Sequence, residues 1–553
     1  MAVSGCYGYE FCLCDGLSRV FPEERPVCEG ALPVTALRGE TVSFQAAYRA
    51  PGPGLGSLRV EVDSPLGKRV RLRAVEPVPC GYPGEAEWDD GNYERLRPGM
   101  FPDVLRDLEE GNRLPEGIGQ WRALWVDIEP GEETGRFPVV LRFSDRSGVA
   151  GELEAWVELL EAALPPQRLL HTQWLHADCL ADYYGLEPWS EEHWQVVGEF
   201  IGLMAKRGIN MVLTPLFTPP LDTAVGGERT TVQLVQVFRE KGGWRFGFER
   251  LKRWVELCRE KGIEWIEFSH LFTQWGAKAA PKVVAMLEDG REEKVFGWET
   301  PAVGGEYTAF LKEFLPQLTK KLREWGIQDR CCFHISDEPS GEQLGDYLAA
   351  RDSVKGLLAG FRCMDALSSY EFYRRGVVET PVVATNHIEP FLENQVEGLW
   401  AYYCVSQHEK VSNRYFAMPL ARCRALGVQL FRFGIAGFLH WGFNFYNSAF
   451  STRHINPYAE TDAGGKFPGG DPFVVYPGPG GVPEESMRLM VLNQALGDLR
   501  ALEGLAAVAG RDYVLKLMEE GLAEPITFSC YPREKEYYLR LRERVNRELA
   551  RRG

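Results

Sequence analysis

Two acidic side chains, Asp337 and Glu338, stand side by side in the string HISDEPS at 334–340, directly after an apolar run that ends at Phe333. Carboxylates that leave a strand together repel one another, and with partial burial this raises the pKa of one of them. A carboxyl raised in this way donates a proton near neutral pH, so the pair reads as acid–base machinery. Pro339 follows and ends the strand's capacity to pair. A local reading competes: Asp337 caps the next helix, or Glu338 meets an arginine at the rim.

Such a pair needs a frame, and the chain from 166 onward predicts one. Eight β-rich apolar runs, LLHTQWLHAD, INMVLTPL, IEWIEFSHLF, CCFHISDEP, FRCMDALSSY, PVVATNH, GLWAYYC and GIAGFLHWGFN, each end in polar or aromatic residues. Helical patterns such as EEHWQVVGEFIGLMAKRG, ERLKRWVELCREKG, YTAFLKEFLPQLTKKLREWG and NRYFAMPLARCRALG lie between most of them, several stopped by glycine. Strand, helix, turn and strand is the unit of a parallel sheet, and eight units predict a (β/α)8 TIM-type barrel. Barrel enzymes gather their chemistry at the C-terminal strand ends. Those ends offer His176, Asp178, His270, Tyr370, Asn386, Tyr402, Tyr403, Trp441 and Asn444 as substrate-binding candidates beside Asp337 and Glu338 on the fourth run, with His387 as a further possibility.

Before residue 165 the rhythm differs. ETVSFQAAYRA, LRVEVDS, RVRLRAVEPVP, GRFPVVLRFSD and ELEAWVELLEA alternate and are punctuated by Gly and Pro, which predicts a β-sandwich. LPPQ at 164–167 reads as a linker. The Gly/Pro-rich stretch AGGKFPGGDPFVVYPGPGGVP precedes a helix over about 484–509 that closes the barrel. The expected fold is therefore multidomain α/β: a β-sandwich over 1–165, a catalytic barrel over 166–509, and a C-terminal helical extension over 510–553.

The seventh run, GLWAYYC, carries no carboxylate where many barrel glycosidases hold a nucleophilic Glu. A substrate with a 2-acetamido group supplies its own nucleophile, because its carbonyl oxygen attacks the anomeric carbon; the protein then needs one acid/base and one group to polarise the acetamido N–H. Glu338 suits the first role and Asp337 the second, an anion being the better match for the developing positive charge. Trp174, Trp275, Tyr402, Tyr403 and Trp441 are candidates to stack on sugar faces, with Asn444 and Asn447 as hydroxyl partners. Two other readings stand beside this one. One is a two-carboxylate glycosidase acting on a sugar without an acetamido group, with Asp178, Glu267 or Glu409 as nucleophile; the other is a non-catalytic carbohydrate-binding barrel. No metal and no cofactor are expected, since His171 and His176 are five apart and point to opposite faces of one strand.

HISDEPS, WLHADCLADYY at 174–184, NMVLTPLFTPP at 210–220, LWAYYC at 399–404, GFLHWGFN at 437–444 and GDPFVVYPG at 470–478 leading to SMRLM occur in an order that resembles glycoside hydrolase family 123 and the wider domain-of-unknown-function 4091 group. The similarity runs over nearly the whole chain. It implies retaining, substrate-assisted removal of β-linked N-acetylgalactosamine or a related 2-acetamido sugar, with Asp337 matching the acetamido-polarising residue and Glu338 the acid/base.

The resemblance implies a glycan or glycoconjugate as partner, and charge and composition exclude others. The formal net charge of −16, from 62 Lys+Arg against 78 Asp+Glu, repels phosphate backbones. The arginines between Arg533 and Arg552 alternate with Glu at helical spacing, as in an amphipathic helix, so no nucleic acid is expected. No basic segment leads into an apolar one at the start, and no eighteen-residue apolar run follows, so neither secretion nor a membrane span is expected. Thirteen cysteines, an odd number, read as reduced thiols rather than a disulfide framework, and the local set Cys6, Cys12, Cys14 and Cys28 matches no zinc spacing. A cytoplasmic protein is the expectation; oligomeric state is left open.

Overall fold

The computed structural model describes residues 3–4, 8–29, 33–50, 58–115, 117, 119–274, 276–338 and 341–552. Cys6, Trp275, Pro339 and Ser340 lie outside the described residues.

The N-terminal part is a sandwich of an eight-stranded and a four-stranded sheet. Between the sheets lies one apolar cluster including Phe11, Phe44, Leu124, Leu141, Phe143 and Val157, in which the rings of Phe11 and Phe143 stack 4.4 Å apart. The larger sheet is buried on its other face too, where Ala47, Val75, Ala123 and Trp125 join the core shared with the barrel. Two of its strands, Val475–Pro477 and Pro483–Ser486, come from beyond the barrel: the chain returns to the sheet it started. The sequence pattern predicts a loop up to Pro483 and a helix from about 484 instead, and that helix starts at Met487. The short edge strand tolerates Pro477 because an edge leaves backbone positions unpaired.

The seam is electrostatic as well as apolar. Glu485 of the returning strand meets Arg73 of the sandwich at 2.5 Å and Arg207 at the end of the helix Glu191–Lys206, while Arg73 also meets Asp127 at 2.5 Å. All four side chains are buried. Arg73 and Arg207 hold the Glu485 carboxyl down to about 2 against burial, which pushes the other way.

Eight parallel strands close the barrel: Leu170–Gln173, Met211–Thr214, Trp265–Phe268, Cys331–Phe333, Arg362–Leu367, Thr380–Ala384, Trp400–Tyr402 and Gly437–His440. Seven of the eight fall within the runs picked out above, and the sixth begins one residue before its run, at Thr380. Leu170 pairs with Gly437, joining last strand to first. Alternate residues point inward: Met211, Leu213, Cys332, Met364, Ala366, Val382, Ala384, Trp400, Tyr402 and Leu439 form the interior, while Val212, Phe333, Ala401, Tyr403 and Phe438 face the helices. Gly437 is required there, because a Cβ on it would lie 2.0 Å from the Trp400 ring.

Three elements differ from the sequence-based expectation. The helix expected from Asn413 runs Leu420–Phe433; Pro419 lacks the N–H an interior helical position requires and stands just before the helix starts. Two hairpins, Gln236–Glu240 with Gly243–Gly247 and Val283–Met286 with Glu292–Phe296, form an extra four-stranded sheet in the segments after the second and third barrel strands. Cys12 and Cys28 form a disulfide, correcting the reading of all thiols as reduced; ten other described cysteines are free. The spacing of the two along the chain is silent on this, because it is the fold that brings Glu29 N–H to the Leu13 carbonyl at 2.9 Å.

After the barrel come helices Met487–Ala509, Arg511–Glu519 and Lys535–Arg552. The last buries Tyr538, Leu541, Arg542, Val545, Asn546 and Leu549, one stripe at helical spacing, and points its other arginines at acids such as Glu158 and Glu520. No described helix is long and apolar enough to cross a membrane.

Candidate active site

The exit of the fourth strand is built by a ladder that outlasts the strand. Leu271 N–H donates to the His334 carbonyl (3.1 Å) and Phe272 N–H to that of Ile335 (3.1 Å). Ser336 Oγ then donates to the Thr273 carbonyl (2.8 Å), and Gln274 Nε2 to Asp337 Oδ2 (2.9 Å). Asp365, on the neighbouring fifth strand, takes the Ile335 N–H at 3.0 Å and the Tyr347 hydroxyl. Asp337 and Glu338 are thus delivered by a backbone held on both sides.

Their environments differ. Asp337 is 8% exposed, and burial first, then the charge of Glu338, pushes its carboxyl up to about 7, against the pull of the Gln274 hydrogen bond. Glu338 is exposed, has a left-handed φ of +43°, and accepts a hydrogen bond from the Tyr402 hydroxyl. A non-glycine residue in that backbone region costs about 1 kcal/mol, a strain characteristic of functional sites.

Both carboxylates line a cavity of about 270 Å³ at the C-terminal strand ends. Trp174, Tyr402 and Trp441 form aromatic walls, and each spends its polar atom on the protein: Trp174 Nε1 on Glu267 (2.7 Å), Trp441 Nε1 on Asp471 (2.9 Å), Tyr402 on Glu338. The rings are thereby fixed with apolar surface toward the cavity. Asp471 is buried, which pushes its carboxyl up to about 7.

Of the other predicted site residues, several are placed elsewhere. Tyr403 follows Tyr402, the last residue of its strand, and points outward among the barrel helices. His176, Asp178 and Asn444 are braces behind the wall. Asn444 bonds both backbone groups of His176 (2.8 and 3.1 Å), and Arg229 grips Asp178 through two bonds (2.7 and 2.8 Å) and reaches His176 Nδ1 at 3.0 Å. Tyr370 packs edge-on against Phe391. Asn386 is exposed and takes the Gln407 side chain at 3.0 Å, steadying the segment whose Cys404 and Ser406 line the cavity; His387 is exposed beside it. Asn447 is within 2.7 Å of His454. Asp178, Glu267 and Glu409, the alternative nucleophiles, do not line the cavity.

His270 lies buried below Trp174 and stacks on His334, ring centroids 4.4 Å apart. Together with Asp365 these histidines offer ligand atoms within 4.8 Å of one another. The donor set does not fit a metal. Stacked rings cannot aim in-plane lone pairs at one ion about 2 Å from each, and both His334 nitrogens are taken, by Glu267 at 2.7 Å and Asp365 at 3.2 Å.

Sequence reasoning missed Asp222, Gln274, Phe450 and Phe467, all of which line the cavity. They sit in segments beyond strand ends, where no periodicity marks them. Phe450 is 49% exposed, and burial pushes the Asp222 carboxyl up to about 6.

A closed parallel barrel whose strand ends bring paired carboxylates and aromatic walls into one cavity defines a barrel enzyme equipped for acid–base chemistry on a small polar ligand. Residues 174–505 match the model of the family described as glycoside hydrolase 123, catalytic domain, and the chain belongs to that family. It is a glycoside hydrolase. A family 123 glycoside hydrolase from Clostridium perfringens, studied for the details of glycolipid glycan hydrolysis, aligns over 98% of this chain and 97% of its own with a TM-score of 0.75 at 13% identity, which shows a shared fold. A family 5 xyloglucanase from Bacteroides ovatus aligns over 84% of this chain and 98% of its own, at 10% identity and a TM-score of only 0.28. No curated protein matches the sequence.

Proposed function

We propose that the chain removes a β-linked N-acetylgalactosamine, or a related 2-acetamido sugar, with retention and with the substrate's own acetamido group as nucleophile. The observation that carries this reading is that Asp337 and Glu338 line one cavity that none of Asp178, Glu267 and Glu409 reaches. The acetamido oxygen attacks the anomeric carbon, the glycosidic bond breaks, and Glu338 protonates the departing oxygen. Asp337 accepts the acetamido N–H and balances the charge of the oxazolinium-like intermediate. Water then adds from the face the aglycone left, Glu338 takes its proton, and the acetamido group is restored. The Clostridium perfringens relative acts on glycolipid glycans, which makes that substrate class the first to try here.

Gln274 and the acetamido N–H both favour the Asp337 anion, the form the intermediate needs. The test is release from 4-nitrophenyl N-acetyl-β-D-galactosaminide, its gluco counterpart and the plain galactoside, beside Asp337→Asn and Glu338→Gln. Release only from acetamido sugars, falling about 10²-fold or more in each variant, supports the reading. Release from the plain galactoside at a comparable rate would overturn it.

A second reading has one observation in its favour. Asp222 is a third carboxylate on the same cavity, so a two-carboxylate mechanism with Asp222 as nucleophile has its parts present. It predicts that Asp222→Asn abolishes turnover of every substrate.

A further inference from the structure

Besides Glu338, the described residues at the cavity edge include Asp222 at φ +40°, Phe450 at +59° and Ser451 at +53°, all non-glycine residues with left-handed backbones. Strain of this kind persists only where neighbouring groups hold it. Here Asp222 Oδ2 accepts the Phe450 N–H at 2.9 Å, Ser451 Oγ donates to the Asp222 carbonyl at 2.7 Å, and Ala224 N–H donates to the Phe450 carbonyl at 3.0 Å. Three bonds stitch the segment after the second strand to the turn after the eighth.

The stitching continues inward. Asp222 N–H donates to Gln274 Oε1 at 2.5 Å, and Gln274 Nε2 donates to Asp337. An unbroken series of hydrogen bonds therefore links the Phe450 backbone to the carboxyl of the pair that is buried. At its outer end Phe450 is 49% exposed, whereas Trp174 and Tyr402 on the inner wall are 3% and 4% exposed. The clamp thus holds the Phe450 ring half exposed at the edge of the cavity it lines.

The cavity's volume of about 270 Å³ is small for a ligand site, enough for one sugar ring rather than a chain. The remainder of a glycan must leave across the mouth, where Phe450 stands. We propose that Phe450 is the platform for the aglycone, taking the apolar C–H face of the pyranose joined through the scissile oxygen, and that Asp222 is the positioning residue that fixes this platform relative to Asp337. The assignment rests on the reading above that the inner cavity holds the acetamido sugar. Aromatic rings present a face of negative charge to such C–H groups, so the contact is favourable and tolerant of which hydroxyls the sugar carries.

Two probes separate the platform from the inner cavity: a disaccharide of the 2-acetamido sugar β-linked to galactose, and the thiazoline analogue of the same 2-acetamido sugar, which fills only the inner space. In Phe450→Ala, kcat/KM for the disaccharide falls about tenfold, equivalent to about 1.4 kcal/mol, while the thiazoline inhibition constant stays within about twofold. Asp222→Ala lowers the disaccharide kcat/KM to a similar extent, Asp222→Asn restores it because its amide oxygen still accepts the Phe450 N–H, and the double variant Asp222→Ala with Phe450→Ala is no worse on the disaccharide than Phe450→Ala alone. Equal losses on both probes, or no loss on either, overturn the platform. Loss of all turnover in Asp222→Asn overturns the positioning role in favour of a nucleophile. An unmodified protein that cleaves the disaccharide but ignores the thiazoline overturns the acetamido reading, and the platform assignment with it.

Discussion

Gln274 donates its side-chain N–H to Asp337 across 2.9 Å, from the loop beyond the third strand to the exit of the fourth. A donor stabilises the ionised carboxylate, so this bond works against the burial and the Glu338 charge that push Asp337 up to about 7. Replacing Gln274 by Leu removes the donor at similar volume. The Asp337 pKa then rises further, and the acid-side limb of kcat/KM, where the ionised form is needed, moves up by about one pH unit. Activity on an acetamido glycoside falls about tenfold at pH 6, since one unit is worth about 1.4 kcal/mol, and recovers toward the parent value above pH 8. A uniform loss with an unmoved limb would mean that Gln274 does not tune the carboxyl.

His334 gives a pH signature in stability rather than rate. Burial alone would neutralise it, but its hydrogen bonds to Asp365 and Glu267, with their charges, push it up to about 10. In the unfolded chain a histidine titrates near 6.5. The folded pKa is the higher, so the stabilisation is complete below about pH 6.5 and is lost as pH rises through about 10. Urea unfolding of the parent and of His334→Gln at pH 6.5, 8 and 10 should show a gap of several kcal/mol at the lowest pH that narrows steadily. Other groups titrating above pH 9 cancel in the difference. A gap independent of pH would show that His334 is neutral in the folded protein.

The barrel was legible because each of its strands buries an apolar run between a helix and the interior, and the runs recur with helices between them. The sandwich was legible only in part. Strands such as WRALWVDI at 121–128 are buried on both faces, which erases the alternation that marks a half-exposed strand. Within the site, Asp337 and Glu338 could be read because a carboxylate pair after an apolar run is unusual whatever the fold. Tyr402 and Tyr403 could have been separated by strand alternation alone, since neighbours on a strand face opposite ways. His176, Asp178 and Asn444 stand at strand ends for a different reason: polar side chains there also tie one loop to the next, and position along the chain does not distinguish a brace from a ligand contact. Asp222, Gln274 and Phe450 belong to three loops that meet only in space.

The seam between sandwich and barrel makes the last prediction. Glu485 sits between Arg73 and Arg207, both buried, on a strand contributed by the chain after it has completed the barrel. Glu485→Gln keeps the shape and removes the charge, leaving Arg207 without its carboxylate and Arg73 with Asp127 alone. Breaking a buried pair from one side costs about 3–5 kcal/mol, because the remaining charge is neither solvated nor paired. The carboxyl is held down to about 2, below the usual value near 4.3, so its contribution is present above about pH 4.3 and lost as pH falls through about 2. The urea midpoint of Glu485→Gln at pH 7 should therefore drop clearly below the parent's, with the difference closing as the pH is lowered toward 2. An unfolding free energy within about 0.5 kcal/mol of the parent's at pH 7, the range of an ordinary surface change, would show that packing rather than this charge cluster joins the returning strand to the sheet and the barrel helix.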